Sequence, residues 1–277
     1  MFKFFAWFFL AFFFSLGFAE LGIFAATGRC AEQPAGGAPD SGAELRGALR
    51  QLLLEDPNLI LDVLRDNSEV VLDIAQQGSE LRRHRTLLAQ WRKDLTEPKK
   101  LLLVNRPTKG PANAPVTIAA FTDFTCQYCR QGEKTLEAVF NAYPGKIRIV
   151  YKNLPMAGHP GSSEAAEFML AAYAQNKERS WKLFDDFFEN RELIVGKSGD
   201  AYLRSAASAR GFNMQKLLSD AKSDRIKQIM QEDERDAQKL NIQGTPYFLV
   251  NDLVIRGALQ ENLFREAVNM ALDAAKK

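Results

Sequence analysis

The chain of 277 residues contains few of the residue types that build disulfide scaffolds, zinc sites or nucleic-acid surfaces. Its three cysteines allow at most one intramolecular bridge, which excludes a fold held together by several disulfides. It has two histidines and only one pair of closely spaced cysteines. A four-ligand zinc site at that pair would need two further ligands, and the candidates are Cys30, His84 and His159. The 36 basic and 34 acidic side chains give a net charge of +2, so nucleic acid is not an expected partner.

Residues 1–28 differ from the rest of the chain in their hydrophobicity. The stretch from Phe2 to Phe18 is almost unbroken apolar sequence with Lys3 as its only cation, which is typical of an export signal. The apolar character resumes after Glu20, so an uncleaved membrane anchor is the alternative. Cys30 follows Arg29, whereas lipid attachment requires a small residue before the cysteine, and Cys30 receives no role.

The N-terminal part of the exported chain is predicted to be a linker followed by helices. Residues 29–42 are rich in glycine, proline and small residues, as linkers are. Residues 43–98 show apolar residues at helical spacing, including a seven-residue repeat at positions 74, 81, 88 and 95. We predict that this segment forms oligomers, although its helices could instead pack back on the main domain. The basic run at residues 82–85 is interpreted as a solvated helix face, with no role for His84.

Residues 99–277 are predicted to form an α/β domain. A strand, a helix and a second strand follow one another around residues 116–151, and this β-α-β unit should have a right-handed crossover. A further strand is predicted before them, at residues 101–104. A long helical region at residues 162–240, interrupted at Gly196, Gly199 and Gly211, precedes a hairpin at residues 248–255 and a final helix. Lys152, at the end of its strand, is expected to be solvated.

The sequence Cys126-Gln127-Tyr128-Cys129 lies where the strand passes into the helix. Two cysteines three residues apart in a first helical turn lie within disulfide reach. The helix N-terminus stabilises an anion, so the pKa of the first thiol falls and Cys126 is the expected nucleophile, resolved by Cys129. A structural disulfide would close too short a loop to stabilise the fold much, and a zinc site lacks two ligands.

The second informative element is Gly244-Thr245-Pro246, directly before a strand. On the residues alone, Pro246 is compatible with an ordinary trans proline that begins an edge strand. In combination with other segments, however, the sequence resembles the DsbA-type branch of the thioredoxin superfamily. The segments that carry the resemblance are residues 114–118, Phe121 to Cys129, Lys152-Asn153-Leu154-Pro155 and Gly244-Thr245-Pro246.

This resemblance implies a thioredoxin-like fold with a helical domain inserted at about residues 157–242 and preceded by an α-helical N-terminal extension. It implies catalysis by Cys126 and Cys129, without a metal or a cofactor other than their redox-active disulfide. It further implies a cis Thr245–Pro246 bond beside the cysteines, where Thr245 and Pro246 bind an extended substrate strand. Gln127 and Tyr128 form the dipeptide with which the family adjusts how oxidising its disulfide is.

The sequence departs from the family pattern at two positions. Gln127 replaces the common proline or glycine, and Ala120 stands six residues before the nucleophile, where many relatives bury an acid. Asp123 is interpreted as a cap of the helix that begins near Cys126. His159, within a turn-like His-Pro stretch, is interpreted as a loop and helix-start feature and not as a base.

The segment of residues 43–98 resembles the N-terminal helical segment of ScsC-like proteins, which joins redox domains into oligomers. We therefore expect a periplasmic homo-oligomer that acts on exported client proteins with cysteines as a disulfide isomerase or reductase. The alternative is a disulfide-forming oxidase, and the two differ in whether a DsbD-like reductase or a DsbB-like oxidase in the membrane resets the protein. A soft-metal (copper) binding or chaperone module is the alternative of another class.

Overall fold

A computed structural model describes residues 41–276 of the chain. The predicted signal peptide, most of the predicted linker and Cys30 lie outside the described residues. Within residues 41–276, no helix is both long enough and apolar enough to cross a membrane. The described residues divide into two compact units, residues 41–71 and residues 72–276, and each is described by itself.

The described part of the first unit is helical, as the sequence predicts. It comprises α1 (Ser41–Glu55), α2 (Asn58–Asp66) and the first residues of α3 (Ser68–Asp94). The break between α1 and α2 is set by Asp56, whose carboxylate accepts a hydrogen bond from the Asn58 N–H at 3.0 Å. No residue of α2 is buried. The large apolar side chains of this unit that stay exposed include Leu45, Leu49, Leu52, Leu54, Leu59, Ile60, Leu61, Val63, Leu64 and Val70.

The second unit, which we call the redox domain, begins within α3, whereas the sequence places the domain boundary at residues 98 and 99. The reason is that the end of α3 packs on the sheet. Trp91 is fully buried, and its indole N–H donates to the Val254 carbonyl at 2.8 Å. The Asp94 carboxylate accepts from the Val254 N–H at 3.0 Å, which ties the helix to the same strand.

The sheet of the redox domain has five strands in the order β1-β3-β2-β4-β5. β2 and β3 are parallel and are connected through α4, which forms the predicted β-α-β unit, and β4 and β5 form the predicted hairpin. The remaining pairs are antiparallel. The elements are β1 (Thr108–Lys109), β2 (Val116–Thr122), α4 (Gln127–Ala142), β3 (Ile147–Asn153), β4 (Tyr247–Val250), β5 (Leu253–Arg256) and, after them, α11 (Glu261–Ala274).

The prediction of a strand at residues 101–104 is wrong. The backbone N–H of Leu102 donates to the Asp236 carboxylate at 2.8 Å instead of joining a sheet ladder. Leu101 and Leu103 pack against the apolar cluster that contains Phe121, so the apolar run covers the sheet rather than extending it. An apolar run of four residues indicates that its side chains are buried. It does not indicate which groups form hydrogen bonds with its backbone.

The predicted helical insertion lies between β3 and β4. Its helices are separated mostly by asparagine and serine caps, since Asn176, Asn213 and Ser223 each accept a backbone N–H at a helix start. The predicted interruption at Gly196 and Gly199 is confirmed, since one helix ends at Val195 and the next begins at Gly199. The helices are α5 (Ser162–Gln175), α6 (Lys177–Glu189), α7 (Arg191–Val195), α8 (Gly199–Ala209), α9 (Met214–Ala221) and α10 (Asp224–Lys239).

An aromatic cluster joins the insertion to the sheet just before the cysteine motif. Phe124 contacts Phe184, Phe187 and Phe188 of α6, with ring centroids 5.3, 5.5 and 4.9 Å away. Such contacts between buried rings stabilise the arrangement beyond the area that they bury. Phe124 therefore holds the loop that carries Cys126 against the helical insertion.

The expectation that Lys152 is solvated is wrong. Its side chain is fully buried, and its amino group lies 2.8 Å from Asp233 and 2.9 Å from Asp236 of α10. Arg106 pairs with the same Asp233 at 2.9 Å. Because buried charges require partners, the two acids of α10 explain how a lysine can be buried. No residue near Lys152 in the sequence indicates that these acids will be its partners.

Candidate active site

The cysteine motif lies at the carboxyl end of β2, where the chain turns into α4. Cys126 is the residue before the first helical turn, with extended backbone angles φ −85° and ψ 121°. Its N–H donates to the Asp123 carbonyl at 3.1 Å, and its own carbonyl accepts from the Cys129 N–H at 3.1 Å. The backbone N–H groups of Tyr128 and Cys129, in the first turn of α4, face the Cys126 thiol. The predicted order of strand, motif and helix is confirmed.

Both thiols are free and buried, but they differ in exposure and acidity. Cys126 is 8% exposed and Cys129 is 1% exposed, so Cys126 is the one that a partner can reach. The hydrogen bond from the Cys129 thiol, followed by backbone hydrogen bonds, lowers the pKa of Cys126 well below its ordinary value. Burial raises the pKa of Cys129 far above it. This pair holds a thiolate at Cys126 and a proton at Cys129.

The Thr245–Pro246 segment meets the thiols from the other side, as the resemblance implies. The Thr245–Pro246 peptide bond is cis. The Cys126 Sγ atom lies 3.5 Å from the Thr245 carbonyl oxygen, at hydrogen-bonding distance for sulfur. Gln127 and Tyr128 are exposed at the mouth of the site, and Tyr128 is 57% exposed. The structure thus brings together all six residues of the predicted site.

Gly132 is a residue of the site that the sequence analysis did not identify. A Cβ atom at this position would lie 2.9 Å from Pro246 Cγ, closer than real Cβ contacts, and 3.0 Å from Phe248 Cζ. A glycine inside a helix costs stability, so its presence one turn after Cys129 is the signal that could have indicated a close approach. It allows α4 to pack directly on Pro246.

Asp123 is not a helix cap, contrary to the expectation, since no side chain caps α4. Its buried carboxylate accepts hydrogen bonds from the Thr125 N–H at 2.8 Å and hydroxyl at 2.7 Å, and from the Met156 N–H at 3.1 Å. The fourth partner is the His159 ring nitrogen Nδ1 at 2.7 Å. Asp123 therefore ties the loop after β3 to the residues just before Cys126.

His159 is more than the loop feature that the sequence suggests, because it lines a cleft beside the nucleophile. The cleft has a volume of about 350 Å³. Its position could not be found in the sequence, where Asp123 and His159 are 36 residues apart. Cys126, Gln127, Tyr128, His159 and Arg191 are among the residues that line it.

A half-buried carboxyl group of α4 lies beside Tyr151 of β3, although Ala120 supplies none from β2. Glu133 accepts a hydrogen bond from the Tyr151 hydroxyl at 2.5 Å, and Tyr151 is the β3 partner of Ala120. The Lys109 amino group is 3.7 Å from the same carboxylate. Burial raises the pKa of Glu133 to about 7, against the opposing effect of Lys109.

His84 has a partner that the sequence did not predict. Its Nε2 atom lies 2.8 Å from the Glu266 carboxylate of α11, a contact within the redox domain that joins α3 to α11. Among residues 41–276, no group of three or more histidine, cysteine, aspartate or glutamate side chains is placed to hold a metal ion.

The chain has relatives among curated proteins. It is 29% identical over 148 residues to a probable disulfide bond formation protein D of Bacillus cereus, a match that covers 51% of this chain and 68% of that one. It is 28% identical over 167 residues to the Na(+)/H(+) antiporter NhaA 1 of Salinispora arenicola, and this match covers 59% of this chain. The chain spans only 24% of the antiporter's length, so the likeness concerns one part of that protein.

Solved structures share the fold. A thioredoxin-like oxidoreductase from Silicibacter pomeroyi DSS-3 matches with a TM-score of 0.55 and 27% identity, over 61% of this chain and 94% of that one. Proteus mirabilis ScsC in a transitional conformation matches with a TM-score of 0.53 and 21% identity, over 84% of this chain and 97% of that one. The predicted fold class, a thioredoxin-like fold with a helical insertion and N-terminal helices, is confirmed.

The thioredoxin family model matches residues 103–270, well over half of the chain. The matched range contains the cysteine pair, the helical insertion and the Thr245–Pro246 segment. The resemblance to DsbA-type thioredoxin-fold oxidoreductases is confirmed by these findings, and the chain belongs to the thioredoxin family.

Proposed function

We propose that this protein is a thiol–disulfide oxidoreductase that exchanges disulfides with client proteins through Cys126. The observation that carries the proposal is the division of roles within the cysteine pair. The thiol that is more exposed has the lowered pKa, whereas the deeply buried Cys129 retains its proton. A pair that is ready to react at one sulfur and protected at the other suits a two-step exchange.

In the reductive direction, the Cys126 thiolate attacks one sulfur of a client disulfide. A bond forms between Cys126 Sγ and that sulfur, and the second client sulfur leaves as a thiolate. Cys129 then loses its proton and attacks Cys126 Sγ, which breaks the bond to the first client sulfur, releases that sulfur as a thiolate and leaves a Cys126–Cys129 disulfide. The client gains two electrons and the cysteine pair loses two, and the reverse sequence oxidises a client.

The Thr245 backbone and the cleft beside Cys126 provide a place for the client chain. The Thr245 carbonyl lies next to Cys126 Sγ, so an extended client segment can run along the Thr245–Pro246 segment with its sulfur at Cys126. Backbone hydrogen bonds carry little sequence information, so recognition is broad. The side chain next to the client cysteine enters the cleft that Tyr128, His159 and Arg191 line.

We propose isomerase or reductase activity in the periplasm, with the helices of residues 41–71 joining several copies. The exposed leucines of α1 support assembly, and the apolar run from Phe2 to Phe18 supports export. Several redox domains around one client suit the reshuffling of wrong disulfides. A DsbD-like membrane reductase would then keep the pair reduced, whereas a DsbB-like oxidase would serve the alternative, a disulfide-forming oxidase.

The exchange reaction is tested by the Cys129→Ala variant in the native compartment. We expect this variant to accumulate mixed disulfides with client proteins, because the first step proceeds and the resolving thiol is missing. Cys126→Ala is the matched control and should trap none. Equal trapping by the two variants would refute the assignment of the nucleophile, and loss of bound copper without any trapping would favour the metal-binding alternative.

The direction is tested by alkylating thiols in the native compartment. A reduced pair in the steady state supports the isomerase or reductase, and an oxidised pair supports the oxidase. The purified protein should then restore activity to a substrate with scrambled disulfides. Rapid oxidation of a reduced substrate without any rescue of the scrambled one would contradict our choice of direction.

A further inference from the structure

The redox domain contains a second cavity, far from the thiols in the topology of the sheet. Gly110, directly after β1, and Arg148, at the start of β3, contribute to its lining. Cys126 follows the carboxyl end of β2, and β2 and β3 are parallel, so the start of β3 lies at the opposite edge of the sheet. The cavity has a volume of about 640 Å³, within the range of small-molecule sites, about 300–1,000 Å³.

The charge of this cavity is one-sided. Arg106, Arg148, Lys177 and Arg225 line it, and no aspartate or glutamate is among the residues that do so. Arg106 is neutralised by Asp233 and Glu232. Within residues 41–276, the other three cations have no carboxylate within salt-bridge distance. The cavity therefore holds uncompensated positive charge.

Arg148 adds an observation that points to a missing partner. Its Nε atom is buried and has no hydrogen-bond partner among the described residues. Buried N–H groups in folded proteins are almost always hydrogen-bonded, and leaving one unpaired is costly. An acceptor placed in the cavity would satisfy this group. A carboxylate suits a guanidinium well, because it can accept two parallel hydrogen bonds.

The remaining wall is apolar. Leu170, Ile226 and Ile229 are buried and form a separate cluster of their own, away from the main core. The Tyr173 ring lies beside them, with the Lys177 amino group 5.6 Å from its centroid. An apolar wall opposite a group of cations matches a ligand with an apolar body and an anionic end.

We propose that this cavity binds a small carboxylate with an apolar chain or ring. Arg148, Lys177 and Arg225 hold the carboxylate, while Leu170, Ile226 and Ile229 contact the apolar part. The site is independent of the cysteine pair. A test of ligand binding is therefore independent of a test of the proposed disulfide exchange. The Cys126→Ala variant should bind the ligand with the affinity of the natural protein.

Octanoate is the probe that tests this site, measured by titration calorimetry on the full chain with its thiols reduced. We expect saturable binding of octanoate, with binding of 1-octanol and of acetate each at least about tenfold weaker, since each lacks one half of the match. Equal affinity for octanoate and octanol would overturn the proposal, because it would show an apolar pocket without a role for the cations. Absence of saturable octanoate binding would overturn it as well.

Charge-removing variants locate the binding. Arg148→Gln should weaken octanoate binding about tenfold, the usual effect of losing a charged hydrogen bond. Arg235→Gln, an exposed arginine of α10 outside the cavity lining, is the matched control and should bind octanoate normally. Arg225→Gln tests the site even where Arg148→Gln does not fold. Arg225 is an exposed residue of α10, so its replacement should leave the fold intact. Unchanged octanoate affinity in Arg225→Gln, or equal affinities of the Arg148 and Arg235 variants, would refute the site.

Discussion

The two units of the chain use similar apolar residues in opposite ways. In the redox domain, Ile118, Phe121 and Leu136 are completely buried, whereas Leu45 and Leu54 of the N-terminal helices are 70% and 75% exposed. Both units contain apolar residues at helical spacing, so the spacing itself does not distinguish a core helix from an uncovered one. The redox domain obtains its stability from internal burial, whereas we expect the N-terminal helices to depend on an apolar surface of a second copy of the chain. Variants should therefore affect the two units through different observables.

The largest loss of stability is expected from Lys152→Met in the redox domain. The substitution removes a fully buried cation and leaves Asp233 and Asp236 with one partner fewer each. Breaking a buried ion pair costs about 3–5 kcal/mol. Urea unfolding should show this loss. Lys239→Met is the matched control, because Lys239 pairs with the same Asp236 but is 66% exposed, and its loss should cost less than about 1 kcal/mol.

A similar loss in Lys239→Met and Lys152→Met would show that burial does not decide the strength of these contacts. Surface interactions would then contribute as much to the stability of the redox domain as buried ones. The two units would no longer differ in the source of their stability.

The second largest effect depends on pH and arises at Glu133. Burial raises the pKa of Glu133 from an ordinary value near 4.5 to about 7, so the folded domain favours the protonated form. Its contribution to stability is complete below pH 4.5 and is lost as pH rises to about 7, by up to about 3 kcal/mol. Glu133→Gln keeps the acceptor for the Tyr151 hydroxyl without the charge. It should equal the natural protein at low pH and be more stable above pH 7.

Urea unfolding of Glu133→Gln between pH 4 and pH 8 checks this sign. Glu137→Gln, an exposed residue of the same helix, should show no such divergence. A stability difference between Glu133→Gln and the natural protein that is constant across this range would contradict the raised pKa.

A smaller effect is expected where α4 packs on Pro246. Gly132→Ala places a Cβ atom 2.9 Å from Pro246 Cγ, so α4 or the Thr245–Pro246 segment must shift. Overpacking of this kind costs about 1–3 kcal/mol, less the helix propensity gained with alanine. Gly78→Ala in α3, with nothing within 4 Å, should instead stabilise its helix by about 0.5–1 kcal/mol. Thermal unfolding should give opposite signs for the two variants, and equal signs would show that the close approach is not tight.

Local signals predicted which residues of the candidate site lie together, because those residues fall in two short segments of the chain. Cys126 and Cys129 share one helical turn, and Pro246 directly precedes β4, which pairs with β2, so the motif and the resemblance together predict that these residues are neighbours. The partners of Lys152, Asp123 and Glu133 could not be predicted. Asp236, His159 and Tyr151 lie 18 or more residues from them in the sequence, and an isolated charge does not reveal which polar group will be packed against it.

The apolar run at residues 101–104 failed for a related reason. Leu101 and Leu103 pack on the domain, but a strand also requires a backbone partner, and Asp236 provides a side-chain acceptor instead. The same limit applies to the N-terminal leucines. Their spacing predicts helices, which the structure contains, and leaves open what covers them.

The smallest effect on the redox domain, and the sharpest test of the comparison, is expected from the N-terminal leucines. At 100° per residue, Leu45, Leu49 and Leu52 share one side of α1, and Leu54 lies on the opposite side. Replacing the first three by serine should reduce an oligomer to a monomer in light scattering after gel filtration. The unfolding midpoint of the redox domain and its thiol reactivity should not change, because no core contact is lost. Leu54→Ser is the matched control and should keep the oligomer. A monomeric natural protein, or a redox domain that unfolds earlier in the triple variant, would show that these leucines serve the fold of their own chain rather than assembly.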